Sequence, residues 1–310
     1  MIMLDDTRLT DWCRQELGSP PADILFRTGH LAQVVGVSLS DGRSVVVKIR
    51  PSEPRIAACM RVQRHLAASG FPCPVPLTAP SVVGELIVSA ETLIPGGRQL
   101  PPAEHGAQPY AALLAWLIRS ASGVPVGSSL APSPPWTGWD HAGSRLWPDC
   151  DDYGRDLNEL PGPAWVDDAA RKVRQRMLGY AAPSRIGHGD WESQNLRWGG
   201  DQPLAVHDWD SIIAQPEVAI AGLAAAVWPA GLGPVYAATI GQSADFIACY
   251  PAAAGLSWSR RDIEHCWAAG LWVLLFNAKK EAYDAGGPQL DRLAGEIAER
   301  LALAALRDAE

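Results

Sequence analysis

The sequence predicts an α+β fold, with a small strand-rich N-terminal part and a larger, mostly helical C-terminal part. Before residue 98, short apolar runs alternate with turn signals, which is the pattern of a strand-rich region. Beyond residue 110, apolar residues recur at helical spacing over several long stretches. One strand-like hairpin near residue 200 interrupts the helical pattern. With 310 residues, the chain is long enough to form two lobes.

In the N-terminal part, an amphipathic helix precedes the strands. Asp41-Gly42 lies between two strand-like runs and indicates a tight hairpin turn, because this pair accepts the left-handed backbone that such turns need. Apolar residues at helical spacing follow the second run, and Pro95-Gly96-Gly97 ends the strand-rich part. The predicted elements are a helix over residues 5–18, strands over 32–39, 44–49 and 85–90, and a helix over 55–69.

The C-terminal part begins with the helical stretch YAALLAWLIRSAS at Tyr110, and the pattern is then lost in a Pro- and Ser-rich loop. Residues 218–244 carry no charge and are long enough to span a bilayer. Pro229 and Pro234 would each remove a helix hydrogen bond there, so we expect two buried helices joined by a turn and not a membrane span. The helices after the hairpin are predicted over residues 216–228, 260–283 and 288–308.

Composition and charge limit the compartments in which the protein is expected and the classes of partner that it is expected to bind. The first ten residues, MIMLDDTRLT, lack the basic and apolar sequence of a secretory signal. Six scattered Cys show neither CxxC pairs nor zinc-ligand spacing, so we expect reduced thiols in a cytoplasmic protein. The net charge is −8 and the acidic excess lies in the C-terminal part, which disfavours nucleic acid and suits a cationic small molecule. An acidic surface that only maintains solubility is the alternative. The chain is expected to be a monomer or a homodimer.

The stretch HGDWESQN places Asp190 and Asn195 five residues apart, and Asp208 follows in VHDWDS. Between them, GGDQP is a dense turn signal flanked by two strand-like runs. A hairpin turning there would set Trp198 opposite Leu204 and return Asp208 to the neighbourhood of Asn195. The two side chains would then offer hard oxygen ligands of the kind that Mg²⁺ prefers.

Lys48 ends the apolar strand SVVVKI and, taken alone, would be interpreted as a solvated edge charge. Upstream lies a Gly-containing hairpin signal, Thr28-Gly29-His30, whose backbone amides are suited to cradle a phosphate. A lysine that neutralises phosphate, followed far downstream by the Asp, Asn and Asp above, is a set suited to phosphoryl transfer. The first Asp would face the attacking hydroxyl, and the Asn and second Asp would hold the metal.

The combination of HGDxxxxN, a downstream hDxD and an upstream strand Lys resembles the aminoglycoside phosphotransferases and their relatives, from about residue 20 to residue 285. The resemblance implies a protein-kinase-like bilobal fold. It places an N-terminal nucleotide-binding lobe over residues 1–94 and a C-terminal catalytic and substrate-binding lobe over residues 95–310. It also implies a kinase that uses Mg²⁺ with ATP or GTP and transfers the γ-phosphate to a hydroxyl group of a small molecule.

Individual site roles follow from the same resemblance. Asp190 matches the catalytic aspartate, and Asn195 and Asp208 match the Mg²⁺ ligands. Lys48 matches the phosphate contact, and Asp210 is expected to order the metal loop. The nucleotide-binding residues that the resemblance implies are Thr28, Gly29 and His30 in the phosphate hairpin, and Glu91 and Leu93 in the hinge whose backbone pairs with the base.

Three stretches depart from the family pattern, and one of them is the phosphate hairpin, which lacks the usual second Gly and Asn. The helix after Lys48 usually carries a Glu that pairs with this Lys, and here the alignment places Cys59 at that position, with Gln63 one turn on. Lys48 is therefore expected to be held by another group or to be held loosely. After the metal loop, AQPEVAIA lacks the Asp of many relatives and offers Glu217 as the only nearby acid. These losses leave open a pseudokinase that binds a ligand without turnover.

The acceptor is expected beside Asp190, where several acids collect. Glu192 follows closely, and Asp151 and Asp152 belong to an acidic run after the Pro- and Ser-rich loop. Twelve of the 13 Trp follow residue 110, several of them near these acids, although filling the core is the alternative role for each. Carboxylates with aromatic faces suit a polycation. We therefore predict a cationic antibiotic as acceptor, an aminoglycoside or a basic cyclic peptide of the viomycin and capreomycin type, and hence resistance. A metabolic kinase of choline or an amino alcohol is the alternative.

Overall fold

The structure, a computed structural model, describes residues 4–29, 32–125, 127–150, 154–231, 237–283 and 286–306. Its strands are β1 (Pro21–Thr28), β2 (Gln33–Leu39), β3 (Ser44–Pro51), β4 (Ser81–Val83), β5 (Leu86–Thr92), β6 (Ser184–His188), β7 (Leu196–Gly199), β8 (Gln202–Val206) and β9 (Ile212–Pro216). Its helices are α1 (Asp6–Leu17), α2 (Ile56–Ala68), α3 (Pro102–His105), α4 (Gln108–Ser120), α5 (Ala164–Leu178), α6 (Glu217–Val227), α7 (Ile240–Ala254), α8 (Arg260–Tyr283) and α9 (Pro288–Leu303).

Five strands form one antiparallel sheet in the N-terminal part, in the order β1-β2-β3-β5-β4. Side chains alternate across a strand, and in β3 Val45, Val47 and Ile49 are buried in a core that α1 also enters. Lys48 and Arg50 therefore project from the opposite face of the sheet. The alternation of β3 thus places both cations on the side of the C-terminal part.

Helix α2 joins the two parts of the molecule through its apolar face. Cys59, Val62 and Leu66 belong to the large C-terminal core and not to the core of the sheet. Complete burial of a Val or Leu side chain typically stabilises a fold by about 1.5–3 kcal/mol. The position of α2 is therefore fixed by the C-terminal part as well as by the sheet.

Helices α6 and α8 form the centre of the C-terminal part and are buried over most of their length. Glycines allow their close approach. A Cβ added at Gly222 would lie 2.1 Å from the carbonyl oxygen of Cys266, and one added at Gly270 would lie 2.7 Å from the carbonyl oxygen of Gly222. Two small antiparallel sheets, β6–β9 and β7–β8, pack against this core and carry the polar residues of the site.

The α+β fold predicted from the sequence is confirmed, and most predicted elements appear within a few residues of their expected bounds. Seven elements were not predicted, among them the short β6, β9 and α3. β1 and β4 are edge strands whose side chains are mostly exposed, so they lack the alternation that marks a half-buried strand. α5 is rich in charge, and α7 lies in a stretch dominated by Ala and small polar residues.

The uncharged segment 218–244 does not form one long helix. α6 ends at Val227, directly before the Trp-Pro pair that includes Pro229, and α7 begins only at Ile240. Residues 232–236, which include Pro234, lie outside the described residues. Over the ranges that the structure describes, no helix is both long and apolar enough to cross a membrane.

Candidate active site

The β7–β8 hairpin brings Asn195 and Asp208 together, as their spacing predicted. Leu196 pairs with Val206, and the amide of His207 donates a hydrogen bond to the carbonyl oxygen of Asn195 at 2.8 Å. Asp208 is the next residue and lies beside Asn195. The two predicted metal ligands are therefore held at the open end of one hairpin.

The predicted register inside this hairpin is wrong. Trp198 pairs with Pro203 and not with Leu204, because a register shift lies between Arg197 and Trp198. Such irregularities change the local pairing without separating the strand ends. Asn195 and Asp208 therefore still come together, although the predicted pairing near the turn is wrong by one residue.

Asn195 and His188 fix the carboxylate and backbone of Asp190. The Nδ2 of Asn195 donates to Oδ2 of Asp190 at 2.8 Å and to its carbonyl oxygen at 3.0 Å. The Nδ1 of His188 accepts from the Asp190 amide at 3.2 Å, and its Nε2 lies 3.0 Å from the carbonyl oxygen of His207. Burial lowers the pKa of His188, which agrees with a neutral ring whose Nε2 carries the proton. Within the described residues, Oδ1 of Asp190 receives no hydrogen bond.

Asp208 begins a loop with an unusual backbone. Its φ of 60° and ψ of 54° lie in the left-handed region, which few non-glycine residues adopt. The hydroxyl of Ser211 donates to Oδ2 of Asp208 at 2.6 Å. Such a conformation persists where the surrounding contacts determine it.

Two buried arginines of the N-terminal part hold this loop. Arg50 of β3 forms an ion pair with Asp210, and a second nitrogen of its guanidinium donates to the hydroxyl of Ser89 at 2.8 Å. Arg55, which precedes α2, donates to the carbonyl oxygens of Asp210 and Ile212. The expected role of Asp210 in ordering the loop agrees with these contacts, which fix the backbone next to Asp208.

The donor set fits Mg²⁺. Asn195 uses its Nδ2 on Asp190, so its amide oxygen is the atom left for a cation, and Asp208 adds a carboxylate oxygen that Ser211 does not use. Mg²⁺ typically takes one or two carboxylates and fills its remaining positions with water and phosphate oxygens. Across the described chain, no three His, Cys, Asp or Glu side chains cluster as a metal site by themselves. A site of one carboxylate and one amide therefore relies on the phosphates of a nucleotide.

Three carboxylates lie close enough to influence one another. Burial, with Glu192 and Asp208 nearby, raises the pKa of Asp190 well above its usual range, and the Asn195 hydrogen bond opposes this effect. Burial raises the pKa of Glu192 to about 7, against the hydrogen bond from Gln194. Each carboxylate therefore gains from a nearby cation.

Lys48 is held by Glu91, an acid predicted from the sequence to lie in the hinge and not beside this lysine. Its Nζ lies 3.1 Å from Oε1 of Glu91, and both side chains are almost fully buried. Oε2 of Glu91 accepts from Nε2 of Gln63 at 2.9 Å. Cys59 cannot supply the charge, because burial raises the pKa of its thiol above the usual value. The sequence left open whether Lys48 is held by another group or is held loosely. The structure shows the first of these, with Glu91 as the partner.

Glu91 and Leu93 were predicted as hinge residues whose backbone binds the base. Glu91 lies inside β5, opposite Val46 of β3, and the amide of Leu93 donates to the carbonyl oxygen of Ser44 at 3.3 Å. The backbone of Glu91 pairs with Val46 and forms a bridge with Pro76, and its carboxylate contacts Lys48. Base binding by these two residues stays a prediction, with Leu93 the better placed because it follows the strand.

The phosphate hairpin connects β1 to β2. Thr28 ends β1 and pairs with Val34, and Gly29 has a φ of 125°. A Cβ added at Gly29 would lie 1.7 Å from the carbonyl oxygen of Ala32, so only glycine fits this position. His30 lies outside the described residues.

The predicted acceptor wall is only partly described. Asp151 and Asp152 lie outside the described residues, whereas Glu192 lies in the segment between β6 and β7, where it contacts Gln194. The Nε1 of Trp136 donates to the carbonyl oxygen of Gly189 at 3.0 Å, so this half-buried indole borders Asp190. Most of the other candidate aromatics fill the core instead of lining a wall. They are Trp139, Trp147 and Trp191.

Three residues with contacts at the site were not singled out for these roles from the sequence. Arg50 is two residues after Lys48 on one strand, so the period of two could have placed both on one face. Arg55 lies at the start of a helix, and this position carries no local signal of its contacts with the loop after Asp208. Gln63 was noticed on the helix, but its partner Glu91 is 28 residues away and could not be inferred.

The sequence was compared with known proteins. A sequence profile described as "Phosphotransferase enzyme family" matches residues 24–256. No curated protein matches the sequence.

Similar solved structures cover nearly the whole chain. An amicoumacin kinase in complex with AMP-PNP, Ca²⁺ and Ami has a TM-score of 0.70 at 12% identity, over 97% of this chain and 94% of that one. The spectinomycin phosphotransferase APH(9)-Ia, in complex with ADP and spectinomycin, has a TM-score of 0.57 at 12% identity, over 100% and 96%. A choline/ethanolamine kinase family protein from Mesorhizobium loti has a TM-score of 0.55 at 17% identity, over 95% and 94%. At these identities the likeness shows the fold, which confirms the kinase-like architecture.

Proposed function

The chain belongs to the phosphotransferase enzyme family, and from this premise we propose that it transfers the γ-phosphate of ATP or GTP to a hydroxyl group of a cationic antibiotic. One observation carries the proposal. Asn195 binds Asp190 through its Nδ2 while the hairpin returns Asp208 to its other side. The proposed proton acceptor and the two proposed metal ligands are thus joined in a single unit.

The proposed reaction assigns each residue one task. The acceptor hydroxyl lies against Oδ1 of Asp190 and gives its proton to this carboxylate as its oxygen attacks the γ-phosphorus. The bond to the bridging oxygen breaks, and the nucleoside diphosphate leaves. Lys48 neutralises the α- and β-phosphates, and the backbone near Gly29 lies over them. Asn195 and Asp208 would hold Mg²⁺, which offsets the charge of the phosphates when bound.

A cationic acceptor is supported by the charges around Asp190. Glu192 and Asp208 raise the cost of ionising Asp190, Asp208 raises that of Glu192, and an ammonium group nearby would offset both effects. Trp136 adds an aromatic side chain at the same place, which favours cations further. Two of the similar structures contain an antibiotic kinase with its named ligand. An amino alcohol such as choline is the second candidate, because it is also a cation and one similar structure belongs to a choline/ethanolamine kinase family.

An acceptor panel tests the proposal. Aminoglycosides, a viomycin-type peptide, choline and a neutral macrolide would each be incubated with Mg-ATP and with Mg-GTP, and the products weighed by mass spectrometry. Gain of one phosphoryl group by a cationic antibiotic supports the proposal, and gain by choline alone supports the second candidate. Transfer to none of them, with nucleotide still bound, would indicate a pseudokinase.

Glu192→Gln should raise KM for the cationic antibiotic several-fold and leave kcat nearly unchanged. The reason is that a carboxylate away from the reacting atoms binds ground state and transition state alike. An ion pair of this kind contributes about 0.2–1 kcal/mol, and KM should also rise with added salt because ions screen the attraction. Steady-state kinetics at pH 8 measures both effects, since the pKa of Glu192 of about 7 leaves it ionised there.

Asp149→Asn is the matched control, because Asp149 is exposed and paired with Arg145. Its KM should stay at the wild-type value. Neutralising Asp151 and Asp152 together with Glu192 should add to the rise. A salt-independent KM that none of these changes affects would exclude the cationic acceptor and direct the search to neutral hydroxylated molecules.

A further inference from the structure

We propose that Glu91 of β5 positions Lys48 for the nucleotide phosphates, in place of a carboxylate on α2. This inference deepens the proposed function and rests on the chain binding a nucleoside triphosphate. Its first support is a contact: Lys48 Nζ and Glu91 Oε1 are 3.1 Å apart, with side-chain exposures of 12% and 7%. A buried charge is tolerated where an opposite charge and hydrogen bonds compensate for the lost water.

Each oxygen of the Glu91 carboxylate has its own partner. Oε1 faces Lys48, and Oε2 accepts from Nε2 of Gln63 at 2.9 Å. The second hydrogen of the same amide goes to the carbonyl oxygen of Pro74 at 2.9 Å, and Gln63 is 2% exposed. Gln63 therefore acts as a clamp that leaves Glu91 a single orientation. The ammonium of Lys48 is therefore held in one position, because it lies against the fixed Oε1 of Glu91.

The register of the sheet explains why this pair can form. Val46 pairs with Glu91 and Lys48 pairs with Ser89, so Lys48 and Glu91 are diagonal neighbours on one face of adjacent antiparallel strands. Long side chains reach each other across such a diagonal. Both members of the pair belong to one sheet, so Lys48 is held without any charge from the helix.

Helix α2 offers no competing partner. Its sequence, IAACMRVQRHLAA, contains no acidic residue. Cys59, at the position where relatives carry the acid, directs its Sγ towards the carbonyl oxygen of Asp210 at 3.9 Å. Arg50, the other cation on this face of β3, is engaged by Asp210 and Ser89. Lys48 is thus the cation that Glu91 contacts directly.

Binding of AMP-PNP and of adenosine, each measured by calorimetry with Mg²⁺ present, tests the inference without any acceptor. Glu91→Gln keeps the shape and removes the charge. We expect it to weaken AMP-PNP binding by about tenfold or more and to leave adenosine binding unchanged, because adenosine has no phosphate for Lys48 to contact. If the protein binds guanine nucleotides better, GMP-PNP and guanosine would be used in place of AMP-PNP and adenosine. Glu85→Gln, an exposed acid just before β5, is the matched control and should match the wild type.

Two further variants decide the outcome. In a Lys48→Met background, Glu91→Gln should have no additional effect, because a positioning residue acts only through the group that it positions. Gln63→Met removes the clamp without changing charge, and it should give a smaller loss that is again confined to AMP-PNP, even if Glu91→Gln fails to fold. Equal losses for AMP-PNP and adenosine, or a Glu91→Gln loss that persists without Lys48, would overturn the inference. Nucleotide binding with no acceptor phosphorylated would count against the proposed function alone.

Discussion

Asp190→Ala is expected to lower kcat by about 10²–10⁴, the usual cost of losing a positioned proton acceptor, and to leave nucleotide affinity at the wild-type value. Asp190 is bound by Asn195 at its Oδ2 and by His188 at its amide, so Oδ1 is the atom left for an acceptor hydroxyl. Among the residues that the structure describes, no hydrogen bond or ion pair of Asp190 reaches the N-terminal sheet that carries Lys48. Single-turnover kinetics and AMP-PNP calorimetry measure the two quantities separately.

Two controls accompany this variant. Asp190→Asn retains the shape of the side chain but cannot take a proton, so it should be as inactive as Asp190→Ala. Glu192 lies two residues away and is also half-buried, yet Glu192→Gln should retain kcat. Wild-type turnover in Asp190→Asn would show that Asp190 takes no part in the reaction. Equal losses of kcat in Asp190→Asn and Glu192→Gln would indicate that both carboxylates act by their charge and not by proton transfer.

The local part of the site could be predicted from the sequence, because its residues are linked by short chain segments. Asp190 and Asn195 are five residues apart, and a single hairpin returns Asp208 to them. The turn signal GGDQP was sufficient for this, even though it could not reveal the shift at Arg197. Neighbours within one hairpin are set by turn chemistry, which sequence records directly.

The long-range part could not be predicted in the same way. Lys48 and Glu91 are brought together by the register of β3 on β5, and Arg50 reaches Asp210 over 160 residues of sequence. Such contacts follow from how the two parts of the molecule pack, and no local signal encodes them. The abundance of Trp was equally ambiguous, because large aromatic side chains are as suited to a core as to a binding wall. The indole near Asp190 belongs to Trp136, and most of the other candidates are buried.

Because of these long-range contacts, the position of the loop that follows Asp208 depends on the N-terminal part. Arg50 and Arg55 both reach the segment that follows Asp208, and both are buried. Breaking a buried ion pair by removing one partner typically costs about 3–5 kcal/mol, because the remaining charge has no water and no counter-charge. Asp210 is therefore expected to matter for stability, whereas Asp208 is expected to matter for the metal.

Asp208→Asn should raise the Mg²⁺ concentration needed for half-maximal turnover by more than the roughly 10–100-fold that loss of an outer-shell partner costs. Asn is the informative replacement because it tolerates the left-handed backbone of Asp208, whereas Ala would add strain to the loss of the ligand. The change also removes one of three carboxylates that repel one another, so the thermal midpoint without Mg²⁺ should not fall. Asn195→Ala should raise the requirement too, with an additional loss of kcat, because Asn195 also orients Asp190.

Asp210→Asn is the matched control for this last prediction, and it should show the opposite pattern. It leaves the buried Arg50 without its counter-charge, so the thermal midpoint should fall while the Mg²⁺ requirement changes less than in Asp208→Asn. Turnover against Mg²⁺ concentration and thermal unfolding with and without Mg²⁺-AMP-PNP provide both readouts for each variant. An Asp208→Asn enzyme with a wild-type Mg²⁺ titration would mean that the open end of the β7–β8 hairpin does not hold the metal. A Mg²⁺ requirement that rises more in Asp210→Asn than in Asp208→Asn would transfer the ligand role to Asp210, and the Arg50 pair would then have to open when the metal binds.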